Sequence, residues 1–173
     1  MNAVLENIKA RRSTRAFTEE QITREELDTL LEAAVWAPTG MNKQLWHFVG
    51  LRNAEKNLEL ARAVAAADNR GPEYNFYGAP ASIIVCYKAD EKHFLPDGSA
   101  AVENILLAAT SLGLGSCWIN QLRETCNDPA VRALLTSYGV PADYDVVASV
   151  ALGHIAKETP AKPRREGVIS IVE

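Results

Sequence analysis

The sequence predicts an α+β fold, a mixed sheet flanked by helices, and three observations carry the prediction. Segments with helical spacing alternate with strand-like runs along all 173 residues, the pattern of one core shared by both element types. Ser82 to Tyr87 (SIIVCY) is a near-continuous apolar run, as expected of a strand buried on both faces. The stretch from Asp97 to Leu112 is apolar almost all round. A helix with so little polar face must lie centrally or at a subunit contact.

Each element has its own local signal. A first helix is predicted over Ala3 to Lys9. A second follows the capping box Thr23-Arg24-Glu25-Glu26, where hydroxyl and carboxylate satisfy free amides reciprocally. Leu27, Leu30, Leu31 and Ala34 recur at helical spacing, and Pro38 stops the run. Trp46 to Leu51 reads as a strand and Ala54 to Ala67 as a helix. The apolar helix is expected to begin at a capping Asp97 and to end at Gly113. Ser116 to Asn120 and Asp145 to Leu152 read as strands. Between them, Asp128-Pro129 opens a helix with proline at its favoured first position. Val168 to Val172 (VISIV) reads as a short final strand. No repeat or linker divides the chain, so a single domain over 1–173 is expected.

Composition narrows the function. Apolar residues at 47 % and charged residues at 23 % are the balance of a soluble globular protein. No run approaches the ~20 apolar residues of a membrane span. The opening MNAVLENIKARRS lacks the apolar centre of a secretory signal, and a cytoplasmic location is expected. A net charge of −4 argues against nucleic-acid binding, which needs a basic face. Three cysteines without a CxxC pair give neither a disulfide framework nor a zinc site, and the three histidines lack metal-ligand spacing. The positive charge is clumped: Lys9, Arg11, Arg12 and Arg15 at one end, Lys162, Arg164 and Arg165 at the other. Two basic knots on an acidic chain suit a small anion.

Four segments could carry chemistry. Arg11 to Arg15 (RRSTR) offers three guanidiniums and two hydroxyls, enough to surround a phosphate; it is equally readable as a solvated turn. Ala37 to Trp46 is a helix-to-strand connection in which Thr39, Asn42 and Gln44 offer neutral donors and acceptors for a heteroaromatic edge. Gly113 to Asn120 is a helix cap entering a strand, and Trp118 is either a core residue or a ligand platform. Its glycines are no dinucleotide fingerprint, because they follow a helix and lack GxGxxG. Lys162-Pro163-Arg164-Arg165 is a stiffened cationic segment or a basic tail.

Taken in order, these segments resemble the nitroreductase family of FMN enzymes over nearly the whole chain. The family opens with a helix and RRSxR, here Arg11 to Arg15. It continues with A-x-W-A-P-S/T-x-x-N-x-Q-P-W-x-F, here Ala34 to Phe48, then D-x-x-x-A-x-x-N-x-L-L-A-A and G-L-G-x-C-W, here Asp97 to Trp118. A lysine-proline-arginine segment closes it, here Lys162 to Arg165. Leu45 departs from the family's proline, and a looser loop around Asn42 and Gln44 is the expectation. The span from Ala67 to Gly78, where larger relatives insert helices over the substrate, is short.

The resemblance implies an α-β-α sandwich and an intertwined homodimer with FMN at the subunit interface. It implies that Arg11, Arg12, Ser13 and Arg15 hold the phosphate and ribityl chain, helped by Lys162 and Arg164. Pro38, Thr39 and Asn42 would approach from the partner subunit, Gln44 is a further cofactor-binding candidate, and the main chain around Trp118, Ile119 and Asn120 would lie near the flavin ring. NAD(P)H would deliver hydride to flavin N5, and a nitroaromatic, quinone or enone would collect it in ping-pong turnover. No side chain is assigned as catalytic. Flavin fragmentation, reductive dehalogenation and flavin binding without turnover are the alternatives; the short lid speaks against the first two.

Overall fold

The structure, a computed structural model, describes residues 2–173. Four strands form the sheet: β1 (Trp46–Leu51), β2 (Ala81–Lys88), β3 (Gly115–Ile119) and β4 (Tyr144–Gly153). Their order is β1-β2-β4-β3, and each of these pairs is antiparallel. A parallel contact enters at one bridge, Ser13 opposite Ser116. Among the described residues six α-helices surround the sheet: α1 (Ala3–Ala10), α2 (Arg24–Val35), α3 (Ala54–Ala67), α4 (Phe94–Ser111), α5 (Gln121–Thr125) and α6 (Pro129–Ser137).

The period of two along β2 splits the core into two faces. Ala81, Ile83, Val85 and Tyr87 join Leu27, Leu30, Ala34, Ala101, Val102 and Ile105 of α2 and α4. Ile84 and Cys86 join Leu60, Val64, Leu122, Val131 and Leu135 of α3, α5 and α6. The result is the three-layer α-β-α sandwich. Helix α4 is central to the first layer. The Asn7 Nδ2 of α1 donates to Leu107 O, and Asn104 Nδ2 donates to Ala33 O of α2, each at 2.9 Å. A bulge opposite Val85 and Cys86 leaves Val147 as an extra residue. It presses on α4 where a Cβ on Gly98 would stand 2.5 Å from Val147 Cγ2.

Capping signals performed as their chemistry requires. Thr23 and Glu26 form the reciprocal box at α2, and Asp128 caps α6 with Pro129 behind it. Gly113 follows α4 with φ of 72°, the left-handed turn that glycine adopts without strain.

Two boundaries differ from expectation. Helix α4 begins at Phe94, and Asp97 is inside it, its own N–H bonded to His93 O. Pro96 permits this, because a first-turn N–H has no helical partner to lose. The Val168–Val172 run forms no strand among the described residues and is exposed; a single strand without a ladder has nothing to satisfy its backbone. Helix α5 and the single 3-10 turns at Gly40–Asn42 and Phe76–Gly78 were not expected, being too short to show a period. Among the described residues no helix is long and apolar enough to cross a membrane.

Candidate functional site

The basic segment after α1 is docked by its main chain. Thr14 N–H donates to Ser116 O at 2.9 Å, and Thr18 N–H donates to His154 O at 3.0 Å. Residues 11–18 therefore run along the outer edge of β3 and the chain leaving β4. Ala156 N–H donates to Ala16 O at 3.0 Å, and Thr159 Oγ1 donates to Ser13 O at 3.2 Å. The chain after β4 thus returns to Ser13. Lys162 is three residues past that anchor, at most ~10 Å of chain. The roots of the two basic clusters meet at one edge of the sheet, while Lys162 and Arg164 themselves are exposed.

Alternation sorts the arginines. Arg11 and Arg15 both lie near Cys117: burial raises that thiol's pKa, and the two guanidiniums oppose the rise. Burial wins, so Cys117 remains a protonated thiol and no nucleophile. The Arg15 pKa is raised, first by the Tyr77 phenol and then by Cys117. Its guanidinium carbon stands 5.7 Å from the Tyr77 ring centroid. Arg12 turns the other way. Its Nη1 donates to the carbonyls of Lys9, Ala10 and Arg11 at 2.6, 3.1 and 2.8 Å, closing the C-terminus of α1 where positive charge is favoured. Arg12 also borders a cavity of 180 Å³ with Thr14, Thr110, Glu158 and Thr159.

Strand β3 is a sheet edge, so alternate main-chain groups face outward. Ser116 O faces the docked segment, and by the same alternation the Trp118 N–H and C=O face that open edge. Trp118 is 36 % exposed, a rim residue and not a core one. Ile119 is buried in the core, and its main chain turns toward β4. Asn120 follows, its Nδ2 donating to Glu124 Oε1 at 2.7 Å.

The Pro38–Leu45 loop is elsewhere. It leads into β1 at the opposite edge of the sheet, three strand spacings or roughly 14 Å across. One chain therefore brings Arg11, Ser13, Arg15, Trp118 and Asn120 together and keeps Pro38, Thr39, Asn42 and Gln44 apart from them. The loop is not loose, despite Leu45. Gly40 N–H donates to both carboxylate oxygens of Asp97, at 3.2 and 3.0 Å. Lys43 Nζ pairs with Glu91 at 2.6 Å, and Lys88 N–H donates to Leu45 O at 3.0 Å. Within the loop Gln44 Nε2 donates to Asn42 Oδ1 at 2.7 Å and Gln44 N–H to Thr39 Oγ1 at 3.3 Å.

The Nitroreductase family model matches residues 8–154, most of the chain. The chain belongs to the nitroreductase family. A nitroreductase of Bacteroides fragilis, crystallised with bound FMN, is 41 % identical with a TM-score of 0.93, each chain covered in full. A nitroreductase of Desulfitobacterium hafniense, also with bound FMN, is 30 % identical with a TM-score of 0.89, again over the whole of both. Among sequence relatives, the FMN reductase (NADPH) of Bacillus subtilis is 32 % identical over 95 % of this chain and 70 % of its own.

Within this family chain, two features were missed by sequence reasoning. The sequence presents Asp97 as a helix cap, whereas it is 6 % exposed and receives bonds from two distant elements. Tyr74 and Tyr77 are the second feature. Tyr74 Oη donates to Gln121 Oε1 at 3.1 Å, and Phe76, Tyr77 and Gly78 all have positive φ, at 53°, 62° and 70°. The segment from Tyr74 to Gly78 thus overlies the turn after β3. The aromatic NFYG run was the available signal.

Proposed function

We propose that this chain is an NAD(P)H-dependent flavin oxidoreductase. It binds FMN between two copies of itself and passes reducing equivalents to an electron-poor acceptor such as a nitroaromatic, quinone or enone. The observation that carries the reading is the division of the donor set between opposite sheet edges. A cluster of cations and a hydroxyl (Arg11, Ser13, Arg15 and the root of the Lys162–Arg164 segment) stands at one edge. A loop of neutral amide and hydroxyl donors stands at the other. A second copy is the direct way to bring the two to one ligand, as in an isologous dimer.

The donor chemistry fits FMN. Guanidiniums with a hydroxyl between them suit a phosphomonoester dianion, and an open strand edge with an exposed indole beside it suits a planar heterocycle. Arg11, Ser13 and Arg15 would hold the phosphate. Arg12 would add the donors left over from closing α1, and Lys162 and Arg164 would close on the same anion. The Trp118 main chain and Asn120 would border the ring. Pro38, Thr39, Asn42 and Gln44 of the partner copy would complete the other side. When bound, the flavin supplies hydride chemistry at its N5. The residues of this chain bind, orient and supply positive charge that favours the reduced anion. Reductant and acceptor would use the same open face in turn, giving ping-pong kinetics.

Apolar surface supports the paired state. Val4, Leu5 and Ile8 of α1, Val35 and Trp36 at the end of α2, and Leu112 after α4 are exposed, Trp36 by 79 %. Large apolar side chains left in water on helices that border α4 favour burial against a second copy. A cytoplasmic location agrees with three free, buried cysteines, the state favoured in a reducing compartment.

The test is spectroscopic. Purified protein is expected to carry the yellow flavin spectrum, to be bleached by NADPH or NADH without oxygen, and to regain colour when a quinone is added. A colourless monomer that takes up no FMN overturns the reading.

A further inference from the structure

We propose that Asp97 is a positioning residue: its buried carboxylate clamps the Pro38–Leu45 loop in the one conformation that offers Thr39 and Asn42 to the flavin of the partner copy. This deepens the function proposed above and rests on it.

The clamp joins three elements distant in sequence. Asp97 lies in the first turn of α4 and receives the Gly40 N–H on both oxygens. Its Oδ2 also receives the hydroxyl of Tyr87, the last buried residue of β2, at 2.7 Å. Tyr87 is fully buried. Burial first, and the hydrogen bond to Asp97 next, push its pKa up to about 12, so it stays protonated and keeps donating. The His93 ring closes over the joint. A Cβ on Gly40 would stand 2.6 Å from His93 Cδ2, so glycine lets the main chain reach the carboxylate.

The loop held this way is strained. Met41, Asn42 and Gln44 have φ of 55°, 55° and 51°, a region that non-glycine residues hold only where their surroundings over-determine it. Those surroundings are the Asp97 clamp, the Lys43–Glu91 pair and the Gln44–Asn42 bond. A strained loop stabilised by a buried charge would be a poor way to connect α2 to β1 and a good way to fix a donor set. Gln44 bonds to Asn42 Oδ1, which leaves the Nδ2 donor of this exposed residue outside that bond. A carboxylate distant from the ligand thereby sets where those donors stand.

The test uses D97N, which keeps shape and removes charge, and Y87F, which removes one bond to the same oxygen. FMN is the probe, titrated into apoprotein by quenching of its fluorescence. At saturating FMN the midpoint potential of the bound flavin is then measured. D97N is expected to weaken FMN at least tenfold and Y87F about threefold, and both are expected to make the potential more negative as donors near the ring are displaced. A merely structural role would lower the unfolding temperature and leave the potential of saturated protein where it was. If D97N does not fold, Y87F and K43A, which frees the loop from its other anchor, decide the matter by the same two readouts. Folded variants with the affinity and potential of the unaltered protein overturn the clamp and leave the flavin reading standing. Failure of the unaltered protein to bind FMN overturns both.

Discussion

The Pro38–Leu45 loop and the chain beyond Thr159 are both irregular and both carry residues assigned to the cofactor, yet they are held in opposite ways. The loop is built against its own chain: a buried carboxylate, a lysine-glutamate pair and a strand-end amide fix it before any ligand arrives. The terminal segment is anchored at Thr159 and then exposed throughout, with Lys162, Arg164 and four large apolar residues facing outward. Irregular backbone is stable where its polar groups have partners in the same chain. Where those partners belong to a second copy or a ligand, the same backbone stands unsupported in the monomer. The loop contributes pre-organisation, and the tail contributes what can close afterward.

Removing each support should show the difference. Asp97→Ala leaves the part-buried Gly40 N–H and the buried Tyr87 hydroxyl without their shared partner, at a cost of about 4 kcal/mol. Thermal unfolding of apoprotein should fall by roughly 8–16 °C. A fall of less than a few degrees would mean that the loop is not braced by this carboxylate. Truncation after Pro160 should do the reverse. The apoprotein should keep its near-native far-ultraviolet dichroism, because the deleted residues pack on no core cluster. FMN affinity should drop by about 3 kcal/mol, the contribution of two charge-assisted contacts. Equal FMN affinity in the truncated chain would remove Lys162 and Arg164 from the site.

Much of this division could be seen in the residues, and the part that could not has a physical cause. The box at Thr23, the Asp128-Pro129 start and the near-continuous apolar run of β2 are local signals, and the structure reproduces each. The basic residues of both chain ends were legible as clusters, and the return of the chain from β4 to Ser13 gives their roots a common edge. Asp97 was legible only as a helix-capping aspartate, because its partners, Gly40 and Tyr87, come from other elements that periodicity cannot bring together. The sheet order was not readable for the same reason, since pairing is a long-range property. The VISIV run has the composition of a strand and meets no partner strand among the described residues.

Alkaline pH probes the clamp more gently. The Tyr87 pKa lies near the usual 10 when unfolded and at about 12 when folded. Between these values the unfolded chain loses the proton and the folded chain keeps it, so this tyrosine's contribution to stability is complete below pH 10 and is lost as pH rises toward 12. Tyr74, also raised to about 12 chiefly by burial, titrates over the same window. Unfolding temperature should therefore decline above pH 10. Y87F should decline less steeply over that window than the unaltered protein, and parallel curves would detach Tyr87 from the effect.

The smallest effect concerns the residue that departs from the family pattern. Proline at position 45 would ordinarily stiffen the unfolded chain and stabilise by about 0.4–1 kcal/mol, provided the native backbone tolerates it. Here the preceding residue decides. Gln44 has φ of 51°, and a residue before proline is driven to extended backbone. Leu45→Pro should turn Gln44 out of its left-handed conformation and break its bonds to Thr39 and Asn42. Leucine at 45 and left-handed Gln44 are thus one arrangement, in which side-chain anchors brace the loop. The substitution should lower the unfolding temperature by roughly 2–4 °C, about 1 kcal/mol. A rise of that size would show that Gln44 extends without cost and that the loop is held by Asp97 and Lys43 alone.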